Sequence, residues 1–385
     1  MKVVHFGTYS TGEGYPRNAV VAKSLEAAGV EVIKCHRDAW GDHAGRERVV
    51  TSIFVTAKTL LRLIKAWTYL TRQYLWRTPE HDLVIVGYPG HLDIFLARLL
   101  AAVRSKPVVL DAFLSLYEAV VEDRKLVNPS SARAKTAKFL DRIGGKTAHA
   151  VLLDTREHIR YYRDVMGIES DRFIRVFVGA EEDFFYRHES QPPENPGEVL
   201  FFGSFLPLHG VDIIVRAAAK VGKNKGFSFS LVGNGPEWNR CKILAQDTDA
   251  DIKWEPGWMH YRNLSYRIAR SEICLGIFST EAKAQRVIPC KVFNILAMGK
   301  PLITADTPAV REALTHGENA WLVPPGDPEA LAEAVVTLHK DAELRKKIAA
   351  GGLALYRESF SYSALGKNLV NELKRRFGAS SGKQE

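Results

Sequence analysis

Residues 286–306, RVIPCKVFNILAMGKPLITAD, set Arg286, Pro289, Lys291 and Asn294 around a single turn that leads into an apolar run. Proline suits the first turn of a helix, where its missing N–H costs nothing, and Gly299 suits the left-handed residue just past a helix end. The pattern predicts a loop, a helix, a turn and then PLIT as a buried strand. A helix start presents free backbone N–H groups and the positive end of the dipole, so a cationic loop that opens a helix is built to meet an anion. Two more loops share that chemistry. FFGSFLPLHG (201–210) and LVGNGPEWNR (231–240) each end a β-like run. They carry Gly203, Gly210, Gly233 and Gly235, glycines that allow backbone to approach a ligand closely. Ser204 and His209 add polar side chains to the first loop.

The first half offers His91 in GYPGHLD and Asp111 in LDAFLS, both just past apolar runs. A histidine there suits general-base work or a hydroxyl contact, and a carboxylate suits accepting a hydroxyl's hydrogen bond. Each equally suits a structural task, His91 at a helix start and Asp111 as a strand-end cap. The loop GTYSTGEGYPRN (7–18) brings Tyr15, Arg17 and Asn18 to the same level. It contains Gly12 and Gly14 but no third glycine at dinucleotide spacing, and VEVIKC runs into His36 and Arg37 rather than an acidic residue, which argues against a nicotinamide cofactor. DTDAD (247–251) lies in a polar stretch before a strand and reads as a solvated turn rather than a metal site. The cysteines, Cys35, Cys241, Cys274 and Cys290, show no metal-ligand spacing and fit free thiols in a reducing compartment. No metal and no cofactor are expected.

These loops need strands beneath them. KVVHF, VEVIKC, DLVIVGY, KPVVLD and HAVLLD alternate with helical stretches in the first half. VLFFGS, FSFSLVG, IKWEP, ICLGIF, PLITA and AWLVPP do so in the second, before helices near 327–340, 342–357 and 362–376. Short apolar runs alternating with helices predict parallel sheets covered on both faces, an α/β chain. A chain of 385 residues accommodates two such cores. RHESQPPENPGE is polar, proline-rich and aperiodic, so the expected division is 1–187, a linker at 188–198, 199–360, a closing helix at 361–378 and a disordered tail at 379–385. Two doubly wound domains facing one another would set both groups of strand C-terminal loops across one cleft.

Together these segments resemble family 4 of the nucleotide-sugar glycosyltransferases, which have the GT-B fold of two facing Rossmann-like domains. VLFFGSFLPLHGVDIIVRAAAKV resembles the family's glycine turn and first helix, and LVGNGPEW its V-G-x-G-P turn. KVFNILAMGKPLITADTPAVREALTHGENAWLVPPGDPEALAEAV resembles its donor-site helix and the segment beyond that helix. The N-terminal segment and DRKLVNPSSARAKTAKFLDR are similar more loosely. The resemblance implies retaining, metal-independent transfer of a sugar from a nucleotide-sugar donor to a saccharide or lipid-linked acceptor in cell-surface polysaccharide or glycolipid synthesis. The second domain would hold the donor against Gly203, Ser204, His209, Gly210, Gly233, Gly235, Pro289, Lys291 and Asn294. The first would hold the acceptor near Tyr15, Arg17 and Asn18, and the last helix would cross back to it. His91, Asp111 and Arg286 are the expected catalytic set. The chain departs from the family at the charges. Ser204 and His209 stand where the family has Arg and Lys, and Arg286 and Asn294 stand at its paired glutamates. Arg286, Lys291 and a protonated His209 are therefore expected to supply the charge around the diphosphate. Glu281 lies five residues before the first glutamate position and is either a donor-sugar contact or a surface carboxylate. An inactive sugar-nucleotide- or lipid-binding partner, and a GT-B-fold sugar-nucleotide epimerase, are the competing readings.

The net charge of +9 suits an anionic partner without choosing one, and no nucleic-acid module is visible. From Arg48 to Arg77 there are six basic residues and no acidic one. On a helix Lys58, Arg62, Lys65 and Arg72 fall on one side, and Leu60, Leu63, Ile64, Trp67, Leu70 and Tyr74 on the other. This is either a sheet-covering helix with a basic face or a segment laid on an anionic membrane. MKVVHFG reads as a first strand rather than a signal peptide, and no apolar run is long enough to span a bilayer. The expected place is the cytoplasm, with peripheral contact at the inner face of the plasma membrane.

Overall fold

The computed structural model describes residues 1–14, 16–39, 57–123, 127–187, 194–222 and 226–378. It divides into two units, Met1–Phe177 with Tyr362–Glu385, and Val178–Ser361. The first unit's sheet contains β1 (Lys2–Gly7), β2 (Glu31–His36), β3 (Leu83–Val86), β4 (Val108–Asp111), β5 (Ala150–Leu153) and β6 (Phe173–Arg175). All are parallel, in the order β2-β1-β3-β4-β5-β6. Strands β3, β4 and β5 are buried at every residue, which accounts for their continuous rather than alternating apolar runs. The helices are α1 (Pro16–Ala27), α2 (Ala57–Trp76), α3 (Asp93–Val103), α4 (Ala132–Thr147) and α5 (Arg156–Tyr161). Strand β6 has no counterpart in the sequence reading, being three residues long.

The second unit repeats the plan with β7 (Asn195–Phe202), α6 (Val211–Val221), β8 (Ser228–Gly233), α7 (Trp238–Asp247), β9 (Ile252–Pro256), α8 (Tyr261–Arg270), β10 (Ser271–Leu275), α9 (Cys290–Ala297), β11 (Leu302–Ala305), β12 (Trp321–Val323), α10 (Pro328–Lys340) and α11 (Ala342–Leu355). Its sheet is again parallel, in the order β12-β11-β10-β7-β8-β9. Val199, Phe201, Phe205, Ile214, Leu231, Ile273, Leu275 and Ile303 form the centre of its core.

The division between units falls at 177/178, before the polar stretch rather than at 187, and β7 begins inside the expected 188–198 linker, of which 188–193 lie outside the described residues. The reason is a set of buried polar groups that mimic a linker in sequence. Glu198 accepts from Ser230 Oγ (3.0 Å) and Asn195 Nδ2 (2.6 Å) and pairs with Arg267 (2.8 Å), while the Gly197 amide donates to Glu272 (2.9 Å). The last helix, α12 (Tyr362–Phe377), lies on α1 in the first unit: Leu369, Val370 and Leu373 share a core with Val21 and Leu25. Gly366 is required there, because a Cβ would come within 1.8 Å of the Ser24 carbonyl.

The α2 helix corrects part of the facial reading. Leu63, Leu70 and Tyr74 are buried as expected, and Trp67 is partly so, but Leu60 and Ile64 are about half exposed, as is Leu61. Residues 48–56 lie outside the described residues. Among the described residues no helix is long and apolar enough to cross a membrane.

Candidate functional site

In a doubly wound sheet, ligands gather outside the strand C-termini where the order of strands reverses. In the second unit that point lies between β7 and β10, and the loops that leave these strands are interlocked. The Phe278 amide donates to the His209 carbonyl (3.0 Å), the Gly203 amide to Val232 (3.0 Å), Phe205 to Asn234 (3.0 Å) and Glu237 to Phe205 (3.0 Å). The glycines serve this interlock. A Cβ at Gly233 (φ +131°) would lie 2.0 Å from the Gly203 carbonyl, one at Gly235 would lie 2.5 Å from the Phe205 nitrogen, and one at Gly210 (φ +63°) would lie 2.5 Å from the Ser279 nitrogen. At these three positions the missing side chain makes room for neighbouring backbone. Gly203 (φ +137°) differs: its missing side chain leaves room for Lys291 Nζ and the His209 ring.

Helix α9 enters the same edge. Pro289 is its N-cap, extended at φ −70° and ψ 152°, rather than its first helical residue, and offers the helix no side-chain cap. Its first-turn amides have therefore no side-chain acceptor at the cap. Lys291 is buried and its Nζ stands 3.8 Å from the centre of the Phe201 ring. Among the described residues this Nζ has no hydrogen-bond partner, and neither has His209 Nδ1 beside it. Burial pushes the Lys291 amine well below the ordinary lysine range. Burial, with Lys291 and Lys283 nearby, pushes His209 well below the ordinary histidine range, against a hydrogen bond to the Ser204 backbone. His209 is thus held toward the neutral imidazole, contrary to the expected protonated one, chiefly because burial removes the water that would solvate its charge. Ser204 is exposed and reaches the site through its backbone, Arg286 is partly buried in the turn before α9, and Asn294 is buried one helical turn beyond Lys291. The Glu281 amide donates to Ser279 Oγ (3.1 Å), and Glu281 lines a cavity of about 150 Å³ with Leu206, Pro207, Val211 and Ser279. Sequence reading missed Phe201 and Lys283, since neither an interior strand residue nor a loop lysine carries a signal of what lies above it.

The first unit's reversal lies between β1 and β3. There Asn18 is committed to the scaffold: its Oδ1 accepts from the Tyr88 amide (2.8 Å) and its Nδ2 donates to the carbonyls of Tyr88 (2.5 Å) and Ser10 (3.2 Å). Asp93 ties the same loops, accepting from the Thr8 amide (2.6 Å) and hydroxyl (2.8 Å) and from Trp67 Nε1 (2.7 Å). Arg17 and Asp111, expected to face an acceptor, are instead joined in a buried ion pair at 2.8 Å. Arg17 also donates to the Val176 carbonyl (2.7 Å), and Phe113 N to Asp111 (3.3 Å). Packing against β-strand ends excludes both from solvent. His91 is buried too, its Nε2 3.2 Å from Asp141, which is held by Ser115 Oγ (2.6 Å) and the amides of Leu116 (3.0 Å) and Tyr117 (2.9 Å). Fifty positions separate His91 from Asp141 in sequence, too far for local reading to connect them. Tyr15 lies outside the described residues. Among the described residues no group of three or more histidines, cysteines or carboxylates is arranged around a metal position, and DTDAD forms a turn with Asp249 at φ +53°.

Residues 196–341, which include every loop of the second-unit site, match the family model described as glycosyl transferases group 1. That match and the relatives below support a group 1 glycosyltransferase. This glycosyltransferase is similar to the putative colanic acid biosynthesis glycosyltransferase WcaL of Salmonella typhimurium, 19% identical over 349 residues and covering 82% of each chain. It is 27% identical over 231 residues to the lipopolysaccharide core biosynthesis glycosyltransferase LpsD of Rhizobium meliloti, a match that spans 55% of this chain and 64% of that one. Among solved structures, Anabaena HepE in complex with UDP and glucose superposes with a TM-score of 0.67 at 15% identity, over 97% of this chain and 99% of the other. Sucrose-phosphate synthase from Thermosynechococcus elongatus does so with a TM-score of 0.69 at 16% identity, over 98% and 100%. The fold is GT-B.

Proposed function

We propose that this glycosyltransferase moves a sugar, with retention and without a metal, from a nucleotide-sugar donor to a saccharide or lipid-linked acceptor of a cell-surface polysaccharide or glycolipid. One observation carries the reading: the uncapped N-terminus of α9, Lys291 and the glycine loop of β7 meet at the reversal point of the second sheet, with Arg286 in the turn before the helix. A leaving diphosphate develops negative charge, and helix amides together with a guanidinium meet that charge without a cation from solution. The relatives in colanic acid and lipopolysaccharide core biosynthesis support the acceptor class, and the UDP and glucose bound to HepE support the donor class. The test is transfer from UDP-, GDP- and ADP-sugars with EDTA present, the product's anomeric configuration being read by NMR. Retention with EDTA-insensitive turnover is expected; donor turnover without transfer, or inversion, refutes it. Replacement of Arg286 by alanine should cost ten-fold or more in kcat/KM, since a charge-assisted contact is worth about 1.5–3 kcal/mol.

An inner-membrane surface is the proposed working place. On α2, Leu60, Leu61, Ile64 and Trp76 are exposed beside Arg62, Lys65, Arg72 and Arg77, and neighbouring helices add Phe95, Leu99 and Val103 on α3 and Phe139 on α4. Leu99 and Val103 are 68% and 71% exposed, so the stripe one turn apart on α3 is unsheltered among the described residues. Apolar residues flanked by lysine and arginine suit an anionic lipid surface. Flotation with phosphatidylglycerol-containing vesicles is expected, and loss of it on Leu99→Glu with Val103→Glu; indifference to lipid charge overturns the proposal.

A further inference from the structure

Against the glycine loop of β7 lie two buried nitrogens without hydrogen-bond partners among the described residues, Lys291 Nζ and His209 Nδ1. Both side chains pack against Gly203: an atom at its Cβ position would stand 3.1 Å from Lys291 Nζ and 3.6 Å from His209 Cε1. The remaining charged and titratable groups acting on the pair are Lys283, from the turn before α9, and Cys290 next to Lys291. Neither is a carboxylate. What the amine does meet is the face of Phe201, 3.8 Å below Nζ. A ring face returns only a small part of what an ammonium loses on leaving water, so the ring alone does not hold the charge. Without a counter-anion the amine is therefore driven toward its neutral form, the direction in which burial moves it.

Resting on the donor-site reading above, we propose that the donor diphosphate binds together with one proton, taken up by Lys291, so that the cation beneath the glycine loop exists only while the donor is bound. An anion within contact of Nζ supplies the missing counter-charge, and the proton comes from solvent, raising the net charge of Lys291 by one. His209 remains a neutral neighbour that holds Lys291 apart from a second permanent charge. Arg286 is the standing cation and Lys291 the conditional one. Product release as a nucleoside diphosphate returns the proton when the site empties.

The test is calorimetry with UDP-glucose, GDP-mannose and ADP-glucose at about pH 8, in buffers of different ionisation enthalpy; these diesters have no phosphate group titrating near that pH, so any proton taken up belongs to the protein. For the nucleotide sugar that binds, the apparent enthalpy should vary with buffer by close to one proton per site. Lys291→Met should abolish the dependence and weaken binding ten-fold or more. Lys291→Arg, always protonated, should abolish the dependence while retaining part of the affinity, and His209→Gln should keep it. Binding without buffer dependence, or dependence that survives in Lys291→Met, overturns the proton linkage and leaves the donor site standing. Absence of binding by all three nucleotide sugars overturns both.

Discussion

Arg17 lies 1% exposed with its Nε 2.8 Å from Asp111, and burial raises the Asp111 carboxyl even against the pull of that guanidinium. Breaking such a pair leaves an uncompensated buried charge, at a cost of about 3–5 kcal/mol. Arg17→Ala should lower the urea midpoint accordingly without changing the acceptor KM of the molecules that remain folded; an unchanged midpoint with a raised KM would restore Arg17 to the acceptor site. Gly233→Ala tests the loop interlock, since its methyl would meet the Gly203 carbonyl at 2.0 Å with φ at +131°. A loss of more than about 1 kcal/mol is expected from the backbone alone, together with weaker donor binding, measured by thermal melts with and without nucleotide. Lys291→Met removes a buried unpaired amine and should raise stability by about 1–3 kcal/mol in the same melts while donor affinity falls. That opposition distinguishes a site residue from a structural one. At this scale the residue types were legible in sequence and their partners were not: nothing near Asp111 in the chain signals that Arg17 neutralises it.

The helices and strands of the first unit carry a pH dependence of their own. His158, on α5, is fully buried, with Nδ1 2.7 Å from Asp154 at the end of β5 and Nε2 3.3 Å from Glu118. Burial pushes the imidazole down, but Glu118 and Asp154 pull it up to about 9. Its contribution to stability is complete below about 6.5 and is lost as pH rises through about 9. His5, inside β1, is moved the other way: burial, then His36 and Lys34, hold it neutral down to about 3, so its contribution is lost as pH falls below about 6.5. Unfolding free energy should therefore peak near pH 6.5, and His158→Phe should remove the alkaline limb in urea titrations across pH. The element pattern itself was legible because parallel strands buried on both faces read as continuous apolar runs. Strand β6 and the start of β7 were not legible, one for its length and the other for the buried Glu198 and its partners.

For the whole molecule, the chain order and the folding units do not coincide. Residues Tyr362–Glu385 close the first unit, and Leu365, Leu369, Val370 and Leu373 are buried in α12. Burial of four such side chains contributes about 6–12 kcal/mol, comparable to the total stability of a domain. A chain ending at Ser361 should lose the first unit to limited proteolysis while a fragment spanning 178–361 persists; equal resistance of both would show that α12 is dispensable.

Composition, turn residues and apolar runs by themselves determined two parallel α/β sheets, their glycine loops and a helix start at Pro289, because these are local properties of backbone conformation and strand burial. Tertiary structure alone decided which of the charged residues carry charge. Arg17 and Asp111 pair with one another, and burial pushes His209 and Lys291 well below their ordinary ranges. Charge state depends on the dielectric and on partners brought from distant parts of the chain, and neither is written in any local stretch of sequence.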